Sequence, residues 1–313
     1  MSVAFVFPGQ GSQHVGMGKA LAEAYPEARR AFRQADQALG FGLSSLCFEG
    51  PEDSLTDTIN AQPAILATSF AALQVIRRQL GDWQPSLVAG HSLGEFSALV
   101  CAGALSFEAG LHLVRERGRL MKRAGELVPG GMAAIIKLER EALIEVCSKA
   151  CAATDGVVQI ANDNAPGQIV ISGDKLTLEK ALELARARGA KRCIPLAVSI
   201  PSHSALMTQA AKEFRAVLDQ VAFDAPVIPV IGNVEARPIK TERIGDELEA
   251  QLVSPVRWTE SVQYMTSQGV DCFVEIGPKE VLSGLVKRID PGVTTCSVGE
   301  PEGLATLQAM KIV

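Results

Sequence analysis

Ser86-Leu87-Val88-Ala89-Gly90-His91-Ser92-Leu93-Gly94-Glu95-Phe96-Ser97-Ala98-Leu99-Val100 begins as an apolar strand, turns through Gly-x-Ser-x-Gly and runs on in a helix-compatible pattern. The glycines leave no flanking side chains to crowd a sharp strand-to-helix turn, so the turn can hold Ser92 strained with its hydroxyl above the sheet. The following helix aims its positive end and the Leu93 amide at any oxyanion formed there. Gly-x-Ser-x-Gly alone is frequent by chance. Its setting between a buried strand and a helix makes Ser92 a candidate nucleophile.

Short apolar runs alternate with helical-length segments on both sides of this turn, the signature of an α/β fold with a mainly parallel sheet. Strands are predicted at Val3 to Phe7, Leu87 to Gly90, Val227 to Ile231 and Cys272 to Ile276. Met207, Ala210, Ala211, Phe214, Val217, Leu218 and Val221 recur at helical spacing, predicting a core-packed helix over 205–221. Residues 131–197 read differently: strand 132–138, helix 139–151, strands 157–162 and 168–172, helix 176–188, strand 191–197. That order, βαββαβ, is the ferredoxin-like split motif. Bracketed by Pro129-Gly130-Gly131 and Pro195, it is expected as a small subdomain, 129–197, inserted into a large domain of 1–128 and 198–313.

The chain has 313 residues, 47% of them hydrophobic, enough for a sizeable core. A formal net charge of −5 gives no basic excess, so bulk electrostatics call for neither nucleic acid nor an anionic membrane. The apolar N-terminal run is too short for a signal peptide or a spanning helix. Seven cysteines at irregular spacings, with no second pair to match Cys147 and Cys151, read as reduced thiols of a cytoplasmic protein rather than a metal site.

A serine nucleophile needs a general base, and histidine serves near neutral pH. Four are present. His91 follows Gly90 on the tight turn and should point elsewhere. At roughly 100° per residue, His112 falls on the charged side of its helix with Glu108, Glu116, Arg119 and Arg123. His14 lies in a glycine-rich loop and stays a minor candidate. His203, in Ser199-Ile200-Pro201-Ser202-His203-Ser204-Ala205 just before an amphipathic helix, is best placed to act as base. The lesser alternative is that it caps that helix or sits in the core. No acid nearby is an obvious third member, so a backbone carbonyl or an amide is expected to orient the ring, a departure from Ser-His-Asp.

On the helix predicted over 107–125, Phe107, Leu111, Leu113, Val114, Leu120 and Met121 gather into one apolar arc, and Arg117 falls in its middle. A guanidinium turned inward is costly unless paired, so Arg117 should meet a carboxylate. That carboxylate is either an internal Asp or Glu or part of a substrate, gripped bidentately. The loop Pro8-Gly9-Gln10-Gly11-Ser12-Gln13-His14-Val15-Gly16 after the first strand fits neither dinucleotide nor phosphate-loop spacing. A glycine-rich turn there can instead supply a second oxyanion donor.

Taken in order, Pro8-Gly9-Gln10-Gly11-Ser12-Gln13, Gly90-His91-Ser92-Leu93-Gly94-Glu95, Arg117-Gly118, Asn162 with Asn164-Ala165-Pro166-Gly167-Gln168, Pro201-Ser202-His203 and Glu275-Ile276-Gly277-Pro278 resemble the malonyl-CoA:acyl carrier protein transacylases of fatty-acid synthesis, end to end. The resemblance implies a hydrolase-like core carrying the ferredoxin-like subdomain, with the active site in the cleft between them. It implies a ping-pong transfer in which malonyl-CoA acylates Ser92 with His203 as base, CoA leaves, and the phosphopantetheine thiol of acyl carrier protein takes the malonyl group. The amides of Gln10 and Leu93 would form the oxyanion hole, and Arg117 would clamp the malonyl carboxylate. Gln251 matches the position whose main-chain carbonyl orients the histidine, and the resemblance counts it with Arg117, Gln10 and Asn162 among the substrate-binding residues. Gln10 and Asn162 match positions that line the substrate cleft. No bound cofactor is implied: malonyl-CoA is substrate and CoA product. The partner is acyl carrier protein, without nucleic acid or membrane, and the chain is expected to act as a monomer.

The sequence departs from the family pattern at Lys279-Glu280, where glycine-lysine is more usual, and at Ser204, where cysteine is common. Ser202 before His203 resembles malonyl-selective members. Carrier proteins are typically acidic, so Arg186, Arg188, Lys191 and Arg192 are candidates for a docking rim, or ordinary solvated charge. Three other readings stay open: an acyltransferase serving a polyketide synthase or malonate decarboxylase, a serine hydrolase, and a docking module without activity. In hydrolases of this kind the histidine lies near the C-terminus, which disfavours that class.

Overall fold

The computed structural model describes residues 2–81 and 83–310; Met1 and residues 311–313, the outermost positions of the expected large domain, lie outside the described residues. Among the described residues nine strands run in chain order: β1 Val3–Phe7, β2 Leu87–Gly90, β3 Gly130–Ile136, β4 Val158–Ala165, β5 Gln168–Asp174, β6 Arg192–Pro195, β7 Val230–Ile231, β8 Cys272–Ile276 and β9 Thr294–Val298. Two sheets result. The first has order β7-β2-β1-β8-β9 and is parallel throughout. Every residue of β1, β2 and β8 is buried, as expected of parallel strands with helices on both faces. The second sheet, β4-β5-β3-β6, is antiparallel and carries the helices Arg140–Thr154 and Lys175–Ala187. Its strands and helices follow one another as βαββαβ, with separate apolar packing under the two helices.

Three differences from the sequence reading have local causes. The strand expected over 227–231 pairs with β2 only at Val230 and Ile231. Pro229 can accept from the Val88 amide but has no N–H to extend the ladder, and Val227 is exposed. The edge strand β9 has no counterpart among the predicted strands: Thr294-Thr295-Cys296-Ser297-Val298 is half-exposed and lacks a continuous apolar run. The helix predicted over 205–221 opens with a 3-10 turn, Ala205–Met207, and ends at Leu218.

Two close backbone contacts set the site. A Cβ on Gly94 would lie 2.0 Å from the main-chain oxygen of Phe7, and one on Gly90 would lie 1.9 Å from the main chain of Gly94. The turn between β2 and the helix Gly94–Cys101 is therefore pressed directly against the end of β1. Further out, the apolar helix Thr58–Leu80 is long enough to cross a membrane but has 78% of its apolar window buried inside the protein, which makes it a core helix. It packs against the helix Phe107–Leu127. At their crossing a Cβ on Gly118 would lie 2.6 Å from the Thr58 carbonyl oxygen. That approach brings the residue before it, Arg117, against Gln62.

Gly94→Ala should lower unfolding stability by at least about 3 kcal/mol, because its obstacle is backbone and cannot rotate away. Gly284→Ala, on the exposed face of the helix Val281–Ile289 with nothing within 4 Å, should instead raise stability by about 0.5–1 kcal/mol. Denaturant midpoints of the two variants check both.

Candidate active site

Ser92 occupies the turn with φ 51, in left-handed backbone that L residues seldom adopt. The surrounding contacts hold it there. Its amide donates to Asn233 Oδ1 (2.7 Å), and Asn233 Nδ2 donates to the Gly90 carbonyl (2.7 Å). Its hydroxyl Oγ lies 2.8 Å from His203 Nε2 and accepts from Arg117 Nη2 at 3.2 Å. His203 is buried and also left-handed, with φ 58. Its Nδ1 is 2.8 Å from the main-chain oxygen of Gln251. A carbonyl can only accept, so Nδ1 carries the proton and Nε2 is left as a lone pair facing the serine hydroxyl.

Arg117 is 1% exposed, yet none of its hydrogen bonds reaches a carboxylate. Nη1 donates to Gln62 Oε1 (2.9 Å) and Nη2 to Gln251 Oε1 (2.9 Å). Among the described residues Nε has no partner. The guanidinium carbon lies 5.8 Å from the centre of the Phe96 ring, where the ring face adds some attraction. Burial pushes this guanidinium down to about 10, with Glu95 opposing, so it is cationic at neutral pH. Of the two carboxylates the sequence reading allowed it, no internal one bonds it directly among the described residues; Glu95 acts on it at one remove, across the Gln251 amide.

Burial first, and then the Arg117 charge, push the His203 imidazole down to about 3. The ring is therefore neutral, the form a base requires. The amides of Gln10 and Leu93 flank the same space, and neither donates a hydrogen bond among the described residues. The Gln10 side chain is tied back to Thr58 Oγ1 (3.0 Å). These groups open on a cavity of about 620 Å³ between the two sheets. Asn162 and Asn164 line it from β4, and Met121, Met132 and Val198 supply apolar wall. Ser202 also lines it.

Ser92, His203, Arg117, Gln10, Leu93 and Asn162 thus line one cleft, whereas Gln251 lies outside that lining and reaches it only through its carbonyl on His203 Nδ1 and its Oε1 on Arg117. The other histidines do not share this arrangement. His91 contributes to the wall, but its Nε2 points to Asn164 Oδ1 (2.8 Å). His14 sits near the Ser12 carbonyl (3.4 Å), outside the cavity lining, and His112 is exposed. Ser204 donates to the Pro201 carbonyl (2.6 Å), away from Ser92. Lys279 has φ 63, where glycine would be unstrained, and its Nζ donates to the Gly11 carbonyl. Arg186, Lys191 and Arg192 are exposed, and Arg188, also exposed, pairs with Glu145. All seven cysteines are free thiols, and no cluster fit for a metal occurs among the described residues.

Sequence reasoning missed Gln62, Glu95, Asn233 and the Gln251 side chain. Gln62 and Glu95 carried a signal of the kind that exposed Arg117: a polar residue inside an apolar helical face. Asn233, in the loop after β7, carried none.

A serine on a strand-to-helix turn, a neutral imidazole on its hydroxyl and two free amides over an open cleft are the arrangement acyl-transfer chemistry needs. The acyl transferase domain family matches residues 4–297, and the chain belongs to it. Within that family the similarity is to one group. The malonyl CoA-acyl carrier protein transacylase of Bacillus subtilis (strain 168) is 48% identical over 312 residues, covering 99% of this chain and 97% of that protein. An acyl carrier protein S-malonyltransferase from Vibrio cholerae superposes with a TM-score of 0.94 at 47% identity, covering 98% and 100% of the two chains. A malonyl-transacylase solved in complex with its holo type II PKS acyl-carrier protein gives 0.95 at 43% identity over 99% and 100%.

In the unfolded chain His203 takes up a proton near the ordinary value of about 6.5; in the folded chain it resists until about 3. The unfolded state therefore binds more protons in this window, and stability falls as pH drops from about 6.5 toward 3. His203→Gln should flatten that part of the unfolding-midpoint curve, by at most about 1.4 kcal/mol per pH unit. An unchanged slope would mean that the ring titrates normally.

Proposed function

We propose that this chain moves a malonyl group from malonyl-CoA to the phosphopantetheine thiol of acyl carrier protein through a Ser92 ester. The observation that carries this reading is the Ser92 hydroxyl itself, 2.8 Å from a neutral His203 and 3.2 Å from a buried Arg117. His203 Nε2 takes the hydroxyl proton as Ser92 Oγ attacks the thioester carbon. The amides of Gln10 and Leu93 hold the oxyanion. When the C–S bond breaks, the imidazolium returns its proton to the CoA sulfur. The second half runs in reverse: His203 takes the carrier thiol proton, the thiolate attacks the ester, and Ser92 regains its proton. The Gln251 carbonyl keeps the ring in the required tautomer throughout.

Arg117 gives the reaction its substrate. Its charge is held by two neutral amides and the Ser92 hydroxyl, and among the described residues its Nε is without a partner. A malonyl carboxylate supplies the missing counter-charge, and it also offsets the field that lowers His203, so the correct substrate makes the base stronger. Acetyl-CoA brings no such group, leaving the cation buried without a partner. A polar site of this kind discriminates by about 10⁴.

Residues 129–197 act on this reading as a small subdomain closing the cleft. Arg186, Arg188, Lys191 and Arg192, beside the edge strand β6, offer an acidic carrier a basic rim. No bound cofactor takes part, the working unit is a single chain, and the free thiols fit a cytoplasmic setting. A carrier of a polyketide system is the second candidate partner, favoured by the likeness to the transacylase solved with such a carrier.

Intact-mass assays against purified holo-carrier proteins test the reading. The wild type should acquire one malonyl group on Ser92 and pass it on, and Ser92→Ala should acquire none. Arg117→Ala should still be acylated but with malonyl and acetyl rates drawn close together. Comparable malonyl and acetyl rates in the wild type would contradict the role given to Arg117.

A further inference from the structure

The buried polar groups beneath Ser92 meet at one side chain that the transfer steps leave unused. Glu95 stands in the first turn of the helix Gly94–Cys101 and is 0% exposed. Its Oε2 accepts from the Asn233 amide (3.1 Å) and from Gln251 Nε2 (2.9 Å). Those two partners brace the site. Asn233 clamps Ser92 and Gly90 through its side chain. Gln251 makes three further bonds: its main-chain oxygen to His203, its Oε1 to Arg117, and its Nε2 to the Ser92 carbonyl (3.0 Å). The two ends of a glutamine amide have nearly the same shape, so packing alone does not decide which way Gln251 points. A donor-only guanidinium on one side and an acceptor oxygen of Glu95 on the other do decide it.

We propose that Glu95 is a positioning residue for the acyl transfer: its buried carboxyl oxygen fixes the direction of the Gln251 amide and the Asn233 main chain, and through them His203, Arg117 and Ser92. The assignment rests on the transfer function proposed above. Only one oxygen does this work, since Oε1 has no partner among the described residues. Burial, and next the neighbouring Glu247, push the carboxyl well above its ordinary range, toward a neutral form. Glutamine imitates that form, with one acceptor oxygen in the same place. Aspartate keeps the carboxyl but draws it back by one bond, about 1.5 Å.

Single-turnover acylation of the full chain by malonyl-CoA and by acetyl-CoA, read by intact mass, tests the assignment. Glu95→Gln should stay within about fivefold of the wild type, and Glu95→Asp should be slower than Glu95→Gln. Glu95→Leu should lose about 100-fold, the scale of a 1 Å misplacement at a reacting centre. It should lose malonyl preference with it, which simple loss of folded protein would not do. In a Gln251→Met background Glu95→Leu should cost less than it does alone, since only the Asn233 route then remains to be lost. A folded Glu95→Leu with wild-type rate and preference would overturn the assignment, as would additive losses in the double variant. If the leucine variant does not fold, Glu95→Asp matching or exceeding Glu95→Gln overturns it equally. Wild-type acylation in the same series separates the two levels: an unacylated wild type sinks the transfer reading itself.

Discussion

A guanidinium closed off from water and held only by neutral oxygens is the constraint on which this structure turns. Removing a cation from water costs several kcal/mol even after relaxation, and hydrogen bonds from Arg117 to Gln62 and Gln251 return part of that. Each of those acceptors requires its own support. Gln62 reaches Arg117 because the helices Thr58–Leu80 and Phe107–Leu127 touch backbone to backbone at Gly118. Gln251 is fixed by Ser92, His203 and Glu95. The charge is thus stable enough to persist without a carboxylate and short enough of partners to bind one.

The side chains of Ser92 and His203 are held by a related device. Ser92 and His203 belong to distant parts of the chain, and both adopt left-handed backbone, φ 51 and φ 58, that costs on the order of 1–3 kcal/mol each. Close packing of β1 against the turn at Gly90 and Gly94 enforces the first. The Nδ1 bond to Gln251 and burial hold the second ring in place. The 2.8 Å contact between them is therefore prepared before any substrate arrives.

Much of this was legible in the residues. β1, β2 and β8 lie where their apolar runs end, because strands covered on both faces leave no polar alternation to blur the boundaries. Ser92, Arg117 and His203 were readable because each breaks a local pattern: a hydroxyl between glycines, a cation in an apolar arc, an imidazole before a helix. The half-exposed edge strand β9 and the two-residue β7 follow from their neighbours more than from their own sequence. Glu95 and Gln62 were passed over because each stands within a helix whose overall pattern was satisfied without it. Asn233 is joined to Ser92 across 141 positions of chain, a relation that only the folded sheet creates.

The central claim is that the cleft stores an acyl group as a serine ester and yields it to a thiol rather than to water. The lifetime of malonylated Ser92, followed by mass in buffer and again after addition of a phosphopantetheine thiol, tests it most directly. The account predicts an ester that persists in buffer and discharges promptly to the thiol. Equal discharge in both would contradict it and make the protein a hydrolase.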